Sequence, residues 1–305
     1  MHFQKENFFM NYTFQLSCES TVDLPYSYMT GRDISVLFYT YSIDSVEYED
    51  NMGRDAKAME DFFIKLKTGK LPVTSQINAF RYEEYFEALL QKGDVLHINF
   101  GTGMTPSYRN ALEAAAILRE KYPQRKLIVV DSLASCMGYG MLVDDAADLR
   151  DSGSSIEEVE AWLLQNRNKL HHQVLCTDLT QFKRSGRVSG PVALIGSILG
   201  ICPIIRMNAE GKLISYAKAR GKKAAIRMTV DEIEKHIQDG KNYKGKFFLG
   251  HSDCPEMCEE VAEVICERFG FSRDRIRFGN IGAIISAHCG ASTVAAFFYG
   301  DEREL

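Results

Sequence analysis

Three things are scarce in this chain, and each absence closes off a class of function. Basic charge is in deficit: 41 acidic side chains against 36 basic ones leave a net charge of −5. A general nucleic-acid binder needs a positive face to displace phosphate counterions, so nucleic acid is not an expected partner. Long apolar runs are also missing. The first twelve residues mix Lys5 and Glu6 with Phe8 and Phe9 and hold no continuous apolar stretch, so they do not read as a secretory leader. The run from Asn280 to Gly300 lacks acidic and basic side chains, but it is rich in Gly, Ser and Thr and carries His288 near its middle. A buried segment fits it better than a membrane span. No internal repeat or low-complexity tract is present, and the expectation is a cytoplasmic protein.

Catalytic and metal-binding patterns are the third scarcity. Gly186-Arg187-Val188-Ser189-Gly190 has the wrong spacing for a nucleophile elbow. The seven histidines are scattered, without a His-Glu-x-x-His pattern, and no paired carboxylates stand out. Cys254, Cys258 and Cys266 fall in one helix-like segment with His251 nearby, yet no Cys/His pair completes a zinc spacing. The eight cysteines read as reduced thiols, several of them in apolar stretches where cysteine packs as a small hydrophobe. The expectation is therefore no catalytic residue, no metal and no cofactor.

What is present is ample core material, 45% hydrophobic against 25% charged residues, in a chain long enough for two domains. The first half alternates strand-like bursts (Thr13 to Ser17, Ile34 to Tyr39, Val95 to Phe100, Leu127 to Val130) with amphipathic stretches (Arg54 to Thr68, the segment after Asn78, Ser107 to Tyr122, Ser135 to Arg150). That rhythm predicts a mainly parallel sheet flanked by helices. Ser155 and Glu158 form a capping box for a linking helix to about Leu170. Beyond it come a strand near Val174, a helix within Pro191 to Leu199, a hairpin about Gly211, helices at Lys222 to Gln238 and Pro255 to Phe269, and a strand at Lys246 to Gly250. The reading is two α/β domains, 12–170 and 171–305, the second smaller and with a mixed sheet.

Four features could carry function. Gly101 to Ser107 is a strand-turn-helix junction with hydroxyls at Thr102, Thr105 and Ser107. Such turns bind anions through free N–H groups, and an enzyme acting on a phosphorylated or nucleotide substrate is the alternative reading there. Pro106 breaks the dinucleotide pattern, and no P-loop lysine follows. Thr74-Ser75-Gln76 is a second hydroxyl cluster, otherwise read as a turn and cap. Gly190 to Ile205 passes sixteen residues without charge, between Arg187 and Arg206, and suits a core helix plus strand or the wall of an apolar cavity. Lys218, Arg220, Lys222, Lys223 and Arg227 form a basic cluster, either a solvated face or a docking patch for an acidic partner or membrane surface.

Taken in order, these pieces resemble the DegV family. Glu19-Ser20-Thr21-Val22-Asp23-Leu24-Pro25 is similar to its opening Asp-Ser-x-x-Asp-Leu-Pro, with Glu for the first Asp. Thr74-Ser75-Gln76, Thr102 to Ala111, Asp131-Ser132 with Gly138-Tyr139-Gly140, Arg184 to Gly190, Lys218 to Ala224, and Ala287-His288-Cys289-Gly290 match its later motifs, over about residues 14 to 299. The resemblance implies two α/β domains with a ligand tunnel between them and a long-chain fatty acid, such as palmitate, stearate or oleate, inside. It further implies the role of a fatty-acid-binding subunit of bacterial fatty acid kinase, which presents the carboxylate to a separate kinase subunit for acyl-phosphate formation. Carried over to this sequence, the fatty-acid contacts fall on Thr74, Ser75, Thr102, Thr105, Arg187 and His288. Arg220, Lys222 and Lys223 become partner-facing, with transient membrane-surface contact.

Overall fold

The computed structural model describes residues 12–190 and 200–305. The chain opens with β1 (Phe14–Glu19), α1 (Tyr26–Gly31), β2 (Ile34–Leu37), β3 (Thr40–Ile43), β4 (Val46–Glu49), α2 (Ala56–Lys67), β5 (Val73–Ser75) and α3 (Ala79–Leu90). It continues through β6 (Asp94–Asn99), α4 (Ser107–Lys121), β7 (Leu127–Asp131), α5 (Cys136–Asp151) and α6 (Ile156–Asn166). Strands β1, β2, β6 and β7 form a sheet of order β2-β1-β6-β7 in which every pairing is parallel. Helical crossovers connect its strands, as a parallel sheet requires. The local signals work as read: Asn78 accepts from Arg81 N–H at the start of α3, and Ser155 with Glu158 closes a full capping box on α6.

The second half builds β8 (Leu170–Cys176), α7 (Thr180–Ser185), β9 (Val188–Ser189), β10 (Ile201–Met207), β11 (Leu213–Arg220), α8 (Lys222–His236), β12 (Phe247–Ser252), α9 (Pro255–Phe269), β13 (Ile276–Asn280), α10 (Ala283–Cys289) and β14 (Thr293–Tyr299). These strands make one mixed sheet of order β13-β12-β14-β8-β10-β11-β9. The expected mixed sheet is present, and it has seven strands against four in the parallel sheet. The predicted helix within Pro191 to Leu199, and with it most of the uncharged Gly190 to Ile205 run, lies outside the described residues; Ile201 to Ile205 belong to β10. The run from Asn280 to Gly300 folds into α10 and β14 and is largely buried. Among the described residues no helix is long and apolar enough to cross a membrane.

One helix decides how the two sheets meet. Twelve of the sixteen residues of α5 are buried, so it is enclosed on all sides rather than one. Gly138 and Gly140 make that possible. A Cβ on Gly138 would stand 2.5 Å from His172 Nε2 and 2.7 Å from Phe297 of the seven-stranded sheet, and one on Gly140 would stand 2.4 Å from the Val22 carbonyl on the other side. Tyr139, between them, sends its hydroxyl to Glu19 Oε2 at 2.6 Å. A continuous apolar core therefore runs from the parallel sheet through α5 to β8 and β14, while a second core lies across the seven-stranded sheet beneath α8 and α9.

Candidate functional site

A cavity of about 330 Å³ lies between the two halves, within the size range of small-molecule sites. Its walls are largely apolar: Phe100, Phe182, Leu213, Ile284 and Phe297 come from five different elements or turns. The polar groups are few. β5 pairs with β3 and turns Thr74 inward while Val73 and Ser75 stay exposed. This places the Thr74 hydroxyl 2.9 Å from His288 Nε2 on α10, across 214 residues of sequence. The other ring nitrogen of His288, Nδ1, is buried without a hydrogen-bond partner. Burial, with Arg187 nearby as the lesser cause, pushes the His288 pKa down to about 4, so the ring is neutral at pH 7.

Of the six residues marked for the fatty acid, the structure brings five to this cavity: Thr74, Ser75, Thr105, Arg187 and His288. Arg187 is an exposed cation at its edge. Thr102 is the exception. Its hydroxyl donates to Asp131 Oδ2 at 2.6 Å and its N–H to Asp131 Oδ1 at 3.1 Å, so it faces away and does not line the cavity. The same contact bears on the phosphate reading of the turn. The Asp131 carboxylate stands where an incoming anion would, and the N–H groups of Gly101, Met104 and Ser107 already donate to Ala134 O, Gly101 O and Thr105 Oγ1. Gly103 is pressed against the hairpin, where a Cβ would fall 2.0 Å from Gly211 O. The turn thus holds an anion of its own and joins the two halves. The expected helix cap at Thr74 to Gln76 is likewise corrected, since Val73–Ser75 is a strand.

Sequence reasoning missed several lining groups. Tyr39 is buried, and its hydroxyl faces Thr105 and Ser107 but completes no hydrogen bond. Ser135 and Cys136 border the cavity at the start of α5, and His172 does so from β8. No local pattern flags them: β8 is buried along its whole length, so no polar–apolar alternation marks the facing of His172.

A second cavity, of about 310 Å³, is bordered by Asp23, Asp50 and Met137. Both carboxyls are buried. Desolvation raises the Asp50 pKa to about 6, and desolvation together with the Asp50 charge holds Asp23 well above the usual carboxylate range. On the surface, Lys218, Arg220, Lys222, Lys223 and Arg227 are exposed at the end of β11 and the start of α8. Lys222 pairs with Glu260 at 2.5 Å; among the described residues the others form no ion pair.

With the geometry in place, comparison with known proteins is direct. Residues 13–301 match the model of the DegV family of uncharacterised proteins. The chain belongs to the DegV family. A DegV domain-containing protein of Clostridium perfringens is 38% identical over 95% of this chain and 99% of its own. One from Lactococcus lactis is 30% identical over 93% and 97%. Among solved DegV structures, one from Thermus thermophilus described for fatty acid binding superposes with a TM-score of 0.81 at 24% identity, covering 95% of this chain and all of its own. One from Eubacterium eligens loaded with heptadecanoic acid gives 0.81 at 20% identity, covering 94% and 100%. These DegV likenesses establish the two-sheet α/β fold of the chain.

Proposed function

We propose that this protein binds one long-chain fatty acid in the cavity between the sheets and presents its carboxylate to a partner kinase. The observation that carries the reading is the half-buried Thr74–His288 pair at the edge of a largely apolar cavity, with an unpartnered ring nitrogen and the Arg187 charge beside it. Burying a sixteen-carbon chain at about 0.8 kcal/mol per methylene yields roughly 12 kcal/mol before ordering costs. An unpaired carboxylate would forfeit several kcal/mol of that. If Thr74 donates to Nε2, the neutral His288 ring carries its proton on Nδ1 and can donate it to a carboxylate oxygen, with Arg187 supplying the countercharge. That division of labour, apolar walls with a few donors, suits binding rather than turnover.

The kinase partnership is supported by the basic cluster. Lys222 and Lys223 open α8, at the positive end of its dipole, where cations cost helix stability. Lys222 is partly engaged by Glu260 of α9, whereas Lys223 has no ion pair among the described residues, and an acidic partner or membrane surface is the reading that uses the exposed cluster.

Native mass spectrometry of protein purified from bacteria is expected to show an adduct of fatty-acid mass. His288→Ala should weaken palmitate or oleate binding by roughly tenfold or more, the scale of one charge-assisted hydrogen bond. Protein that is repeatedly empty and takes up neither acid overturns the reading. Charge reversal at Lys222 and Lys223 should abolish kinase-dependent acyl-phosphate formation while leaving lipid content unchanged.

A further inference from the structure

On the face of the seven-stranded sheet opposite the cavity, three side chains from distant parts of the chain converge. His171 is the second residue of β8, His236 is the last residue of α8, and Asp301 follows β14. His236 Nδ1 lies 2.9 Å and His171 Nε2 lies 3.1 Å from the same oxygen, Asp301 Oδ1, and the three ligand atoms all fall within 4.8 Å of one another. We propose that His171, His236 and Asp301 form a binding site for one divalent transition ion of the zinc class, with water completing the coordination.

The spacing suits the ion. Ligands at about 2.0 Å around a tetrahedral zinc lie about 3.3 Å apart, so the existing contacts need to open by only a few tenths of an ångström on two edges. Two imidazoles and one carboxylate select zinc and its neighbours over calcium or magnesium, which prefer an all-oxygen shell. Around this trio the second layer is also built as metal sites require. Glu232 Oε1 stands 3.4 Å from His236 Nε2, the nitrogen pointing away from Asp301. A proton held there by Glu232 leaves the Nδ1 lone pair directed at the site, the carboxylate–histidine–metal arrangement. Without a metal, His236 has a carboxylate facing each ring nitrogen, Asp301 at 2.9 Å and Glu232 at 3.4 Å.

Preorganisation supports the same conclusion. The two imidazoles stack with centroids 5.0 Å apart, and His171 also stacks on Phe298 at 5.2 Å. A Cβ at Gly300 would meet the His236 carbonyl at 2.1 Å and the His171 ring at 3.0 Å, so only glycine lets the chain bring Asp301 this close. His171 Nε2 also stands 2.9 Å from the Asp301 carbonyl, so taking the ion there means giving up that hydrogen bond and carrying the ring proton on Nδ1. Access is open on one side: Asp301 is 60% exposed, whereas the side chains of His171 and His236 are 8% and 18% exposed. Lys235 and Arg206 face Glu232 at 2.8 and 3.8 Å, and the Arg303 cation lies on the His171 side, so the site carries moderate rather than strong negative charge.

The test uses the full chain, stripped with a chelator and titrated with zinc chloride by calorimetry. Cobalt(II) should report the geometry through its d–d absorption. One equivalent is expected, with affinity falling roughly tenfold or more in both Asp301→Asn and His236→Gln. Asp301→Asn keeps the fold, because that side chain is largely in solvent. No saturable binding, or binding equal in wild type and both variants (ions then held by cysteine thiols), would falsify the assignment. Fatty-acid content read by native mass spectrometry is a separate observable, so its loss or retention leaves this outcome unaffected.

Discussion

Glu19 shows how much one buried carboxylate can organise. It is fully buried, and its oxygens take the Tyr82 hydroxyl at 2.7 Å, the Tyr139 hydroxyl at 2.6 Å and the Phe100 N–H at 2.8 Å, with His97 Nε2 at 3.0 Å. An aspartate, as in the family pattern at this position, reaches one methylene less. Glu19→Gln would turn an amide NH₂ toward groups that themselves donate. It should cost roughly 3 kcal/mol or more of stability, read as a shift in the urea midpoint at unchanged slope. His288 supports a second prediction at this scale. Its folded pKa, about 4, lies below the ordinary value of 6.5. Between those values the unfolded chain binds the proton and the folded chain does not, so this group's contribution to stability is present at neutral pH. It is lost as pH falls from about 6.5 to 4. Asp50, raised to about 6, acts with the opposite sign in the same window. The comparison should therefore be made against His288→Gln. The variant's stability, measured without lipid, should fall less steeply over pH 6.5 to 4, by up to about 1.4 kcal/mol per pH unit.

Among the elements, α5 is the one least able to accommodate change. Gly138→Ala improves helix propensity by up to about 1 kcal/mol, yet its methyl would be driven into His172 and Phe297. The net effect should be a loss of roughly 2 kcal/mol or more, with lower lipid capacity because both neighbours line the cavity. Gly31→Ala, where nothing lies within 4 Å of the new methyl, is the matched control and should be neutral or stabilising in a thermal melt. The longer elements were legible because their periodicity and caps are local. The small sheet of β3, β4 and β5 was not. Its β3–β4 turn uses Asp44 and Ser45 at φ of 52° and 66° in place of the usual glycine signal. Strand β5 is three residues whose identity comes from pairing with β3 rather than from hydrophobic alternation.

For the whole molecule, what the sequence concealed is facing and long-range proximity. The order of motifs marked the cavity-lining residues at 74, 75, 105, 187 and 288, but Thr74 and His288 meet only because β5 docks against α10. Thr102 stands outside the cavity wall for the converse reason, since its hydroxyl follows Asp131, a partner 29 residues on whose direction no local pattern encodes. The His171, His236 and Asp301 trio has no sequence signature because its members come from a strand, a helix end and the segment after the last strand. Two of the sites argued above nevertheless share one strand. His171 and His172 are consecutive in β8 and point to opposite faces of the sheet, one toward Asp301 and the other into the cavity. Inserting or deleting a single residue before them would exchange their faces and dismantle both sites together. The length of that strand is therefore under a constraint that neither site imposes alone, and β8 can be edited in sequence but not in count.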